Sequence, residues 1–93
     1  MEISSDVLAR YAGDAAREVD GVHGLAKHRA VRIAVADDGA VSVELHVLLE
    51  WGVAFAEVGA TVQERVAEYL ERMAGRRPVR VDVFVADVGP VRA

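Results

Sequence analysis

From Val41 to Trp51 the chain alternates with a strict period of two. Val41, Val43, Leu45, Val47, Leu49 and Trp51 form one set, and Ser42, Glu44, His46, Leu48 and Glu50 form the other. Successive side chains of a β-strand point to opposite faces, so this stretch specifies a long strand with one dry face and one wet face. A sheet built on it needs a hydrophobic layer over one side only. The chain supplies that layer next. Gly52 breaks the strand, and Phe55, Val58, Val62, Val66, Leu70 and Met73 then recur at intervals of three and four, the spacing of one apolar helix face. Gly75 and Pro78 provide a stop. A helix of about 20 residues is roughly 30 Å long and returns the chain to the start of the strand before it. The following alternation of Val79, Val81, Val83 and Val85 with Arg80, Asp82, Phe84 and Ala86 therefore predicts a strand parallel to the first-named one, joined by a right-handed crossover.

Upstream, Ile3, Val7, Leu8, Tyr11, Ala12, Ala15 and Val19 trace a second helical stripe. Ser4 is placed to cap it, Ile3 and Leu8 stand at the positions of a hydrophobic staple, and Asp20-Gly21 is expected to end it. Residues 22–30 show no clean period and read as a connecting loop with Val22 and Leu25 turned inward. Val31, Ile33 and Val35 alternate as a short strand, and Asp37-Asp38-Gly39 marks a hairpin into the long strand. The expected fold class is α+β, a single domain over 1–93. It is a two-layer α/β sandwich of order α-β-β-α-β, in which a three-stranded mixed sheet carries two helices on one face. The long strand is expected at the centre, although the pattern also permits the short first strand in the middle. Gly59 inside the long helix predicts a close backbone crossing there, by the first helix.

Composition narrows the chemistry. Hydrophobic residues make up 53% and charged residues 28%, the balance of a folded domain rather than a disordered segment. There are no cysteines, which excludes disulfides, thiol chemistry and thiolate metal sites. With 11 basic against 15 acidic side chains the net charge is −4, and this argues against nucleic acid as a partner. No apolar run is long enough to span a bilayer, and the N-terminus lacks the pattern of a signal peptide, so a cytoplasmic location is expected.

No reactive constellation is visible. His23, His28 and His46 lack the spacing of a metal site, and His23 and His28 read as loop residues. Ser4 and Ser5 are caps, Thr61 lies in a helix, Ser42 is on a strand surface, and Asp37 and Asp38 belong to a solvated turn. Gly21-Val22-His23-Gly24, with Lys27, His28 and Arg29 nearby, fits the G-x-x-G pattern of KH domains and is the one argument for RNA binding. The bare sheet face offers another reading. Leu48 and Phe84, with His46 and Ala34, would form an apolar patch in a polar frame, the composition of a protein contact surface.

The ordered set Glu18-Val19-Asp20-Gly21-Val22, Trp51-Gly52, Val62-Gln63 and Met73-Ala74-Gly75, together with Val43 to Leu49 and Val79 to Val85, resembles the alkaline shock protein family of bacterial cell-envelope stress response proteins. In that family the Trp51-Gly52 position is usually tyrosine-glycine. The resemblance covers nearly the whole chain. It implies a cytosolic protein without known catalysis, carrying no catalytic residue, cofactor or metal, and peripheral to the membrane through a partner. Expected partners are a second copy of the chain and a membrane-anchored protein, without direct insertion into the bilayer. A KH-like module using Gly21 to Gly24 is the alternative.

Overall fold

The computed structural model describes residues 3–90. Its elements run in the order α1 (Ser5–Arg17), β1 (Val22–Leu25), β2 (Val31–Val35), β3 (Val41–Glu50), α2 (Phe55–Ala74) and β4 (Arg80–Gly89). The class is α+β with two helices, but the sheet has four strands rather than three.

β3 is the central strand. β4 runs parallel along one edge of it, paired from Ser42 opposite Arg80 to Glu50 opposite Gly89 with one register shift after Val47. Because β4 occupies that whole edge, β1 and β2 share the other, end to end and antiparallel to β3. β2 pairs from Val31 opposite Leu45 to Val35 opposite Val41, and β1 from Val22 opposite Leu49 to Leu25 opposite Val47. Residues 26–30 bulge out between them, and the two ends of the excursion satisfy both backbone groups of one residue: Ala26 N donates to His46 O (3.0 Å), and His46 N donates to Ala30 O (2.8 Å). The segment read as a loop is therefore half strand. Its four residues contain a register shift at His23, which removes the alternation that reveals a strand in a sequence.

α1 begins as expected, with Ser4 Oγ accepting from Val7 N (3.3 Å) and Asp6 in the first turn. It ends at Glu18, short of Asp20-Gly21. The chain then tightens, Val19 N donating to Ala16 O and Val22 N to Val19 O, and Gly21 at φ 95° turns it into β1. The glycine marks a left-handed position, but one that serves a turn rather than the helix cap. The hairpin after β2 forms as expected, with Gly39 at φ 89° and Asp38 Oδ1 accepting from Ala40 N (2.9 Å). α2 ends on Gly75 at φ 68°, whose N–H donates to Glu71 O (3.0 Å).

The core lies between the helices and β3. Val43, Leu45, Val47 and Leu49 are buried against Leu8, Ala12, Ala16, Val62, Val66 and Leu70, each large side chain contributing about 1.5–3 kcal/mol by leaving water. α1 lies over β1 and β2, and α2 over β4. The helices meet where Tyr11 stands edge-on to Tyr69, at 5.8 Å between ring centroids. Three expectations fail at the margins of this layer. Trp51 has the inward parity but is 70% exposed, because β3 stops at Glu50 and α2 does not start until Phe55. Val35, the last residue of β2, and Val79, just before β4, are likewise exposed. Gly59 meets no neighbour within 4 Å of a Cβ built on it. The helix glycine at a close approach is Gly13, whose Cβ would lie 3.2 Å from Leu25 Cδ1.

Candidate functional site

The strand alternation that buries Val43 to Leu49 leaves Ser42, Glu44, His46, Leu48 and Glu50 half-buried on the opposite face, where neither helix packs. β4 adds Arg80, Asp82 and Phe84 to this face, and β2 adds Arg32 and Ala34. At Ala86 β4 carries an extra residue, since Val85 stands opposite Val47 but Asp87 opposite Leu48. The bulge reverses the parity, bringing Asp87 rather than Ala86 level with Leu48 and returning Val88 to the helix side opposite Leu49.

Two structures organise the face. The first is an aromatic pair in the middle. His46 and Phe84 stand in register and stack, ring centroids 5.0 Å apart and planes inclined by 17°. His46 Nε2 is 2.9 Å from Glu44 Oε2, an oxygen that also lies 3.9 Å from Arg32 Nη1. These contacts fix the imidazole from two sides. Phe84 remains 47% exposed.

The second is a shallow depression of about 420 Å³ around Ala34 and Ser42, walled by Arg32, Glu44, Arg80 and Asp82. Ala34, Ser42 and Arg80 form one row across the sheet, and the small side chains in that row create the hollow. Arg80 Nε pairs with Asp82 Oδ2 at 2.8 Å. The rim thus carries two cations and two anions. A second hollow of about 270 Å³ lies beside His28 and Arg29 of the 26–30 excursion.

The four residues singled out from the sequence fall on this face, but they do not form one patch. His46 and Phe84 touch, Ala34 belongs to the depression, and Leu48 lies further along, in register with Gly24 and Asp87. His23 was missed. It is not a loop residue but the bulged position of β1, and its ring lies against Gly89 of β4, so it spans β3. Its Nδ1 is buried without a hydrogen-bond partner among the described residues. No periodic signal marks it, because the bulge that aims the ring also breaks the alternation.

The KH-like reading loses its geometry. Gly21 to Gly24 join a helix to a strand rather than two helices, Gly21 O accepts from Glu50 N (2.9 Å), and Gly24 stands opposite Leu48 within the sheet. The hydroxyls have local tasks, Thr61 Oγ1 donating to Glu57 O (3.0 Å) and Ser4 capping α1. Among the described residues, no group of three or more His, Asp or Glu is disposed to hold a metal ion.

Known proteins match this chain in sequence and in shape. The uncharacterized protein Spy1614 of Streptococcus pyogenes is 29% identical over 104 aligned positions, covering 95% of this chain and 86% of that protein. The uncharacterized protein YqhY of Bacillus subtilis is 27% identical, covering 95% of this chain and 76% of its own length. Among solved structures, a triply substituted MamM CTD superposes with a TM-score of 0.67 at 18% identity, over 88% of this chain and 93% of that one. A zinc form of another MamM CTD variant gives 0.65 at 14% identity, over 94% and 86%. At such identities the structures establish a shared fold and nothing further. The family model that matches residues 27–90 spans the sheet from the excursion to the end of β4, so the chain belongs to the alkaline shock protein 23 family, described by a cell envelope-related function.

Proposed function

We propose that this protein is a noncatalytic contact module of the cell envelope stress response, working by self-association through the open face of its sheet. The observation that carries this reading is the exposed Phe84, held upright against His46 on a face that no helix covers. An aromatic ring with a fixed orientation loses little freedom on binding, and such rings are the usual anchors of protein interfaces. Around the Ala34–Ser42 depression the charges, Arg32 and Arg80 against Glu44 and Asp82, balance, whereas Glu50 and Asp87 stand further along the face. A balanced frame suits a partner with the same surface. No helix among the described residues is long and apolar enough to cross a membrane, so a membrane-anchored protein is the proposed means of reaching the envelope.

The test is the molecular mass in solution of the unaltered chain and of a Leu48→Gln, Phe84→Gln variant, with circular dichroism as the check on folding. The reading expects an oligomer that the double substitution reduces to a monomer. An oligomer of unchanged mass in the folded variant would remove this face from consideration.

A further inference from the structure

The open face carries a projection and a hollow of matching kind, and their separation follows from the sheet. Phe84 stands in the row of His46, whereas the depression is centred on the row of Ala34, Ser42 and Arg80. Ser42 and His46 are four steps apart along β3, about 13 Å at roughly 3.3 Å per residue. Phe84 therefore cannot fill the hollow of its own chain. At about 420 Å³ the hollow has room for a benzyl side chain, and its floor is formed by the short Ala34 and Ser42.

Building on the self-association proposed above, we infer that two copies pack open face to open face about a two-fold axis, with Phe84 of each seated in the Ala34–Ser42 hollow of the other. A two-fold interface repeats each contact, so a single projection and a single hollow on one face suffice to lock it twice. Sheets stacked face to face lie about 10 Å apart with interdigitated side chains, and a ring standing above one face over a gap in the other meets that requirement. The charges agree with the arrangement. Around the hollow Arg32 and Arg80 are offset by Glu44 and Asp82, so the rim on which the ring of a rotated copy would sit carries no net charge. His46, stacked on Phe84 and tied to Glu44, acts as a positioning residue that keeps the ring upright before contact.

The fit is tested by exchanging size between projection and hollow. Phe84→Ala removes the projection, and Ala34→Phe fills the hollow at an exposed strand position. Each variant alone is expected to self-associate at least about thirtyfold more weakly than the unaltered chain, since truncating or blocking a central aromatic anchor removes most of what an interface gains. An equimolar mixture is expected to recover a one-to-one heterodimer. The intact Phe84 of the Ala34→Phe chain enters the open hollow of the Phe84→Ala chain, and the filled hollow faces the shortened side chain. Native mass spectrometry separates the two homodimers from the heterodimer by mass, and recovery occurs only between folded chains. A mixture that stays monomeric, or an Ala34→Phe chain that dimerises as the unaltered chain does, overturns this arrangement. If the Leu48→Gln, Phe84→Gln variant nevertheless dissociates, the contact role of the face stands and only the seating of Phe84 is wrong. An unaltered chain that is monomeric throughout overturns both.

Discussion

Gly21→Ala is expected to destabilise the protein by about 2–5 kcal/mol, and the structure separates that figure into two causes. The residue sits at φ 95°, a conformation in which a side chain costs about 1–3 kcal/mol. A Cβ there would also lie 2.9 Å from Val58 Cγ2 and 3.3 Å from Val53 Cγ1, an overpacking that typically costs about 1–3 kcal/mol. Against both stands the reduced freedom of the unfolded chain, which favours alanine by about 0.4–1 kcal/mol, so the central values of the three contributions, about 2, 2 and 0.7 kcal/mol, leave a net loss of about 3 kcal/mol. Gly52 provides the control. Its φ is 86°, but no atom of the described residues lies within 4 Å of the place a Cβ would take, so Gly52→Ala carries the backbone cost alone, about 0.5–2 kcal/mol net. Urea unfolding followed by circular dichroism measures both variants, and equal slopes would show that stability rather than the unfolded state has changed. If Gly21→Ala costs no more than Gly52→Ala, the close approach of α2 to this turn is wrong. The comparison also bears on the G-x-x-G pattern, because it assigns Gly21 a structural need that owes nothing to RNA.

Gly89→Ala is expected to cost about 1–3 kcal/mol, since its Cβ would lie 2.8 Å from His23 Cδ2. Most of that loss should vanish in a His23→Ala background, and additive losses in the double-mutant cycle would contradict the ring contact. Leu45→Ala, at a fully buried position in the centre of β3, should cost about 2–5 kcal/mol in the same unfolding assay. Trp51→Ser, despite its place in the same alternation, should change stability by no more than about 0.5 kcal/mol, and a loss comparable to that of Leu45→Ala would mean that the indole is covered.

Local pattern and packing contributed different parts of this protein. Val41 to Leu49 and the stripe of Val62, Val66 and Leu70 were legible because periods of two and of three to four state directly which side of an element is dry. The parallel pairing of β4 followed from the length of α2, and the Ser4 cap, the Asp38-Gly39 hairpin and the Gly75 stop are short-range chemistry that needs no knowledge of the rest of the chain. The composition of the open face follows from the same alternation, which alone turns His46, Phe84, Leu48 and Ala34 outward.

Their grouping was not legible. Which row of β4 lies beside which row of β3 depends on register, and register placed Phe84 against His46 but left Ala34 in a separate hollow. β1, the bulges at His23 and Ala86 and the reach of His23 to Gly89 were hidden for a related reason. An inserted residue destroys the period that makes a strand visible, and only the partner strand reveals what remains paired. Trp51 and Gly59 show the same division. Periodicity specifies the direction of a side chain, whereas the distance to the next layer depends on where the helices begin, end and cross, and that is decided by long-range packing of the whole chain.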